Sequence, residues 1–246
     1  MTDHRDQRRF DAWERLHGNG ETSELIPAAT VVVMRDGDRG LESLMLRKNS
    51  KVAFGGMWVF PGGRIDEEDT AFDRNGDRDE LATAAAAAAR EAVEEASVVV
   101  DPASLIWFSH WVPPPITPKR FSTFFFAARL ADDAVVTIDD GEITEHRWLR
   151  PVEAMERRDN SEIELAPPTW MTLNLLTRWQ SVNEALSGLG EMEPVFYETH
   201  IGRSDYGPVA MWDGDAGYET SNPSLVGLRH RLTMADGSYR FERTGC

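Results

Sequence analysis

A single cysteine, at the last of 246 positions, leaves no intramolecular disulfide and no multi-cysteine metal site. That usage fits a reducing compartment. Long hydrophobic runs are also missing. None approaches the roughly 18 residues that a membrane-spanning helix needs, so no membrane association is expected. The opening residues, MTDHRDQRRFDAWERLHG, are charged and have no apolar signal core; a cytoplasmic protein is the expectation. Positive charge is scarce: 26 Lys and Arg stand against 42 Asp and Glu, a net charge of -16. A protein that grips a nucleic-acid backbone needs the opposite balance, which removes nucleic acid as a partner. A small anionic substrate stays open, because divalent cations supply local positive charge. There is no P-loop, no G-x-G-x-x-G and no H-E-x-x-H; residue counts do not exclude Ser/His/Asp catalysis, but nothing like G-x-S-x-G appears.

What is present is a mixed pattern of strands and helices, an α/β (α+β) chain. Residues 5 to 17 have apolar residues at helical spacing (Phe10, Trp13, Leu16), which predicts a short helix docking one face. Ala28 to Met34 and Leu44 to Arg47 read as two strands around the turn DGDRG, and a short strand follows near Trp58 to Phe60. The acidic stretch 66 to 80 reads as a mobile surface loop. Its DRNGDRD segment starts like a calcium loop, but Arg78 and Ala84 stand where glycine and glutamate are required. An alanine-rich helix follows, with Asp77 and Glu80 at capping-box spacing. ASLIWFSHWV, FSTFFFAARL and EHRWLRP are strand-like, and PVEAMERR is a short helix. APPTWMTLNLLTRWQSVNEALSGL is predicted as one long helix opened by prolines. Beyond it, short strands and loops are expected. The expected division is an N-terminal extension 1–24, a domain 25–190 and a C-terminal extension 191–246.

The stretch REAVEEAS carries the chemistry. Residues four apart share a helix face and those three apart nearly so, so Glu91 and Glu95 stack with Glu94 beside them. Like charges at that spacing repel. A solvated charged face tolerates this, but hard cations such as magnesium, which take carboxylate oxygens, explain it better. Arg90 is placed to orient one carboxylate through paired hydrogen bonds.

Together with the upstream FPGGRID, this stretch resembles the Nudix box, G-x5-E-x7-R-E-U-x-E-E-x-G-U with U aliphatic. Gly63 matches the first glycine, Arg90, Glu91, Glu94 and Glu95 match R-E and E-E, and Val98 matches the final U. Counted forward from Gly63, the early glutamate falls at Asp69; counted back from Arg90, it falls at Ala82, so 13 residues are inserted between the halves. Ser97 replaces the box's late glycine, and Ala92 the first U. An insertion at this point resembles the coenzyme A diphosphatase branch of the family, as do AATVVVMRD, LMLRKNS, MWVFPGGRID and PPTWMTLNLL, over about residues 26 to 189.

The resemblance implies an α/β/α sandwich with a mixed β-sheet. It implies metal-dependent hydrolysis of a nucleoside diphosphate derivative, coenzyme A or an acyl derivative among them, by water attack on phosphorus. Mg2+ is the implied cofactor, with Mn2+ as a substitute. Glu91, Glu94, Glu95 and the Gly63 carbonyl are the implied ligands, and Arg90 holds the glutamates. A later carboxylate, Glu142 or Glu145, is expected to complete the set, with Glu145 preferred because it lies nearer the strand. Arg47, Arg64, Lys119 and Arg120 are candidate substrate contacts, and Lys48 is a weaker one. His110 and Trp111 are either base-stacking groups or core aromatics. Homodimers are frequent in the family. A second reading is a Nudix-fold nucleotide sensor that binds without cleaving; the retention of all three glutamates counts against it.

Overall fold

A computed structural model describes residues 5–17, 23–50, 55–130, 134–139, 141–235 and 238–244. In chain order the elements are α1 (Arg5–His17), β1 (Leu25–Gly37), β2 (Gly40–Lys48), β3 (Trp58–Val59), β4 (Gly62–Arg64), β5 (Ala71–Phe72), β6 (Arg78–Asp79), α2 (Glu80–Ala96), β7 (Ile106–Val112), β8 (Arg120–Arg129), β9 (Ile143–Leu149), α3 (Pro151–Asp159), α4 (Pro167–Leu176), α5 (Val182–Gly190), β10 (Val195–Glu198), β11 (His200–Ser204), β12 (Gly207–Met211), β13 (His230–Met234) and β14 (Tyr239–Arg243).

An eight-stranded mixed sheet forms the middle layer, in the order β10-β7-β8-β1-β2-β3, with β4 also on β1 and β9 also on β2. The β1–β8 and β10–β7 pairs are parallel and the others antiparallel. Side chains alternate across a strand. Val31 and Val33 of β1 and Leu44 and Leu46 of β2 pack on the alanines of α2. Val32, Met34 and Met45 face the other way, onto Leu173, Leu176, Val182, Ala185 and Leu189 of α4 and α5. A strand covered on both faces needs an unbroken apolar run, which TVVVM supplies. The result is the expected α/β/α sandwich. The run Ala84–Ala89 lets α2 lie close to the sheet, because methyl groups fill little space.

Three local expectations need correction. The N-cap of α2 is Asp79, whose carboxylate accepts the Ala82 N–H at 2.9 Å; Asp77 instead gives its N–H to Asp73 in the preceding turn. The acidic insert is a built structure: a short helical turn, Glu67–Asp69, followed by the β5–β6 hairpin. The predicted single long helix is two helices, α4 and α5, broken at residues 177 to 181. Tertiary contacts win there. The β1–β2 hairpin takes the Gln180 carbonyl on the Leu41 N–H (2.9 Å), and Asp36 takes the Val182 N–H (2.8 Å). Ser181 then caps α5 through the Glu184 N–H.

The segment beyond residue 190 shares the core. β10 extends the central sheet, Tyr197 stacks on Trp111 with centroids 3.9 Å apart, and Trp212 is fully buried. The remaining strands, β11 to β14, form an antiparallel meander. The helix α1 docks on this meander: Phe10 is buried, and Arg203 lies over its ring while bonding Asp11 and Glu14.

Candidate active site

The site begins with α2. Its buried alanine face fixes the helix on the sheet, and its last two turns then project Arg90, Glu91, Glu94 and Glu95 past the sheet surface. The helix stops at Ser97, which adopts a left-handed conformation (φ 55°, ψ 26°). Its N–H bonds the Val93 carbonyl at 2.9 Å, and the Val98 N–H bonds the Ala92 carbonyl at 3.1 Å. The Ser97 bond is the five-to-one closure of a left-handed helix ending, a position that usually carries glycine.

Opposite the helix lies the β3–β4 segment, FPGGR. Gly62 and Gly63 pair with Thr30 and Ala29 of β1. A Cβ on Gly63 would collide with the Glu91 carboxylate, and one on Gly62 with the backbone and side chain of Thr30. Only glycine lets strand and carboxylate approach this closely. Arg90 ties the two sides together. It bonds Asp69 through two nitrogens (2.9 and 3.0 Å), the Arg64 carbonyl (2.9 Å), Glu91 (2.9 Å) and Glu94 (3.0 Å). These carboxylates hold the guanidinium firmly protonated, the Asp69 bond most of all.

The three glutamates differ in setting. Glu94 is exposed, Glu91 is mostly covered, and Glu95 is 4% exposed. One Glu95 oxygen accepts the Gly62 N–H at 3.0 Å; the other meets the Lys48 ammonium at 2.5 Å. Burial pushes Glu95 up to about 7, against the pull of Lys48 and Gly62. Burial raises Glu91 too, opposed by Arg90. Lys48 also reaches Glu142, at 2.7 Å. Glu142 is delivered by a turn that Asp139 builds, its carboxylate accepting the N–H groups of Glu142 and Ile143 at 2.9 Å each.

A family model for the NUDIX domain matches residues 24–169. The chain belongs to the Nudix hydrolase family. Two curated relatives are described as acyl-coenzyme A diphosphatase NUDT19. The Xenopus laevis protein is 30% identical over 141 residues, 52% of this chain and 36% of that one. The Homo sapiens protein is 31% identical over 111 residues, 39% of this chain and 30% of that one. The chain thus spans about a third of the length of these relatives. Among solved structures, a NUDIX hydrolase from Alicyclobacillus acidocaldarius superposes with a TM-score of 0.58 at 22% identity, covering 67% of this chain and 96% of that one. This last likeness concerns the fold.

The Nudix box is therefore assembled across its 13-residue insertion. The insertion leaves in β5–β6 and returns at the start of α2, so Asp69 still arrives beside Arg90. Of the other predicted site residues, Arg64 contributes its carbonyl to Arg90. Arg47 and Glu145 sit apart from the glutamates. Alternation along β2 puts Lys48 on the α2 face and Arg47 on the opposite one, and Glu145, paired in register with Arg47, goes with it. There Glu145 bonds Arg147 (2.6 Å) and approaches Arg47 (3.7 Å), in an open cleft that Trp58, Glu162 and Glu164 also line. The expected preference for Glu145 over Glu142 thus meets the opposite arrangement: Glu142, not Glu145, shares a partner with Glu95. Lys119 is exposed. Arg120 spends its guanidinium on the carbonyls of Pro113 and Ser23. His110 and Trp111 are core aromatics: His110 bonds Ser122 and stacks on Phe196, and Trp111 stacks on Tyr197.

Among the described residues, no three Asp, Glu, His or Cys side chains converge closely enough to hold a metal ion as they stand. The donor types nevertheless suit a hard divalent cation: carboxylates from one helix face, with glycine backbone pressed against Glu91. Their present counter-charges are Arg90 and Lys48.

Proposed function

We propose that this Nudix hydrolase cleaves the diphosphate of a nucleoside diphosphate derivative, coenzyme A or an acyl-coenzyme A, by water attack on phosphorus. One observation carries the reading: Glu91, Glu94 and Glu95 gather on one end of α2 against the glycine strand that only Gly62 and Gly63 permit. The curated descriptions of the relatives point to the substrate class.

Glu91, Glu94 and Glu95 are the residues that would hold Mg2+ or Mn2+, with the Gly63 carbonyl and, in place of Glu145, Glu142. A divalent cation held there would neutralise phosphoryl charge and make an attacking water more acidic. The chain's own part is positioning, which dominates phosphoryl transfer. Arg90, anchored by Asp69 and the Arg64 carbonyl, fixes the rotamers of Glu91 and Glu94. Gly62 orients Glu95. One of the three glutamates is also suited to take a proton from an attacking water. Arg64 and Lys119 are the basic groups left for the outer parts of a substrate; Arg120 is already engaged, and Arg47 lies across the sheet beside Glu145.

The test is turnover followed by mass spectrometry on coenzyme A, acetyl coenzyme A, NADH, ADP-ribose and diadenosine polyphosphates. Each is run with Mg2+, with Mn2+ and with chelator, beside Glu95→Gln. Metal-dependent cleavage of the coenzyme A compounds, reduced at least about 10³-fold in the variant, is the expected result. Cleavage confined to another compound overturns the substrate class. Wild-type rates in Glu95→Gln overturn the site.

A further inference from the structure

Lys48 is a charged side chain with 7% exposure, held in a strand of the central sheet. A buried ammonium is tolerated only when paired and hydrogen-bonded. Its partners come from two distant parts of the chain: Glu95 on α2 at 2.5 Å and Glu142 before β9 at 2.7 Å. Each offers the ammonium one carboxylate oxygen. The second Glu95 oxygen is already committed to the Gly62 N–H. Both Glu95 oxygens are therefore partnered, and one of them faces a full positive charge where a further cation would have to approach.

The charge pattern supports the same conclusion. Glu91 and Glu95 stand four apart on one helix face, where like charges repel. Arg90 serves Glu91 and Glu94 and makes no contact with Glu95. Lys48 is the cation on the Glu95 side. A hard divalent ion would seek the oxygens that Lys48 occupies, and two cations sharing one carboxylate oxygen repel strongly in a partly dry site.

We infer that Lys48 is a positioning residue and internal competitor: it holds Glu95 and Glu142 together before metal binds and must leave them for a divalent ion to be bound. This rests on the metal reading above. Metal loading then includes a side-chain exchange, and Lys48 sets metal affinity from a position outside the Nudix box.

Mn2+ binding to the full chain, read by electron paramagnetic resonance and calorimetry without substrate, tests this in wild type, Lys48→Met and Lys48→Arg. The expected result is binding at least about tenfold tighter in Lys48→Met, with no gain in Lys48→Arg, which keeps the charge. In chelator, Lys48→Met should melt below wild type, and Mn2+ should raise its melting temperature more. A second measurement needs no variant. Amine acetylation of wild type, mapped by peptide mass spectrometry, should label Lys48 faster with saturating Mg2+ than with chelator. Equal or weaker Mn2+ binding by a folded Lys48→Met, or labelling of Lys48 unchanged or slowed by metal, overturns the inference alone. Absence of Mn2+ binding in every form overturns the metal reading with it.

Discussion

At the scale of single residues, the site depends on contacts too close for substitution. Gly63 has no positive φ, so its backbone accepts alanine; the obstacle is the Glu91 carboxylate lying where a Cβ would go. Gly63→Ala should therefore fold with nearly wild-type stability but displace Glu91, and turnover should fall about 10²-fold, the penalty of an ångström-scale misplacement. Steady-state kinetics beside a melting curve separates the two effects; a wild-type kcat/KM would show that Glu91 need not stay where it is. Asp69 is the complementary case. It is buried and bonds Arg90 through both oxygens. Asp69→Asn should cost about 1–3 kcal/mol in chemical denaturation, the range for a charged hydrogen bond left incomplete, and should lower kcat by loosening Arg90. Box spacing alone made Arg90, Glu91, Glu94 and Glu95 legible in the sequence, because i, i+4 geometry is local. Lys48 and Asp69 were underestimated for the converse reason. Their partners lie 47 and 21 positions away, and no local pattern announces such a pairing.

At the scale of elements, the ends of helices tested the sequence hardest. Ser97 holds a left-handed conformation that disfavours any side chain by about 1–2 kcal/mol. Its hydroxyl recovers part of this through a bond to the Thr137 carbonyl at 3.1 Å, on the exposed side. Ser97→Gly should thus stabilise the protein by about 0.5–1 kcal/mol and leave metal-dependent turnover unchanged, a result that differential scanning calorimetry with a kinetic control reports. A lower melting temperature would mean that the Thr137 contact outweighs the strain. The break between α4 and α5 had a local sign: Ser181 and Glu184 stand at capping-box spacing. The apolar periodicity on either side concealed it. The cap of α2 is Asp79, two residues beyond the capping-box spacing of Asp77 and Glu80, because the β5–β6 hairpin draws Asp77 into its turn.

At the scale of the whole molecule, the sandwich was legible over the region that resembles the Nudix family, and the final segment was not. Strands of four or five residues carry too little periodicity to show which sheet they join. Yet β10 completes the central sheet and Trp212 sits in the core beside Trp111, so the C-terminal segment contributes to the stability of the whole. Its internal tie is Asp215, which has no exposed side-chain surface. It takes two bonds from Arg231 (2.5 and 2.7 Å) and the N–H groups of His230 and Gly217 (2.9 and 2.8 Å). Burial works to raise its pKa, and the Arg231 bond with the two N–H groups outweighs that, so the carboxyl titrates below its ordinary range. The sign follows: a depressed folded pKa gives stability that is complete above the unfolded value of about 3.9 and is lost as pH falls through the folded one. Asp215→Asn leaves Arg231 buried without its counter-charge and should cost about 3–5 kcal/mol at pH 7. Melting curves from pH 7 down to pH 2 should show a wide, constant gap between the two proteins above about pH 4. Below it the gap should narrow, because wild type then loses what the variant already lacks. A gap that persists undiminished into acid would mean that the shape of the Asp215 side chain, and not its charge, secures the C-terminal strands.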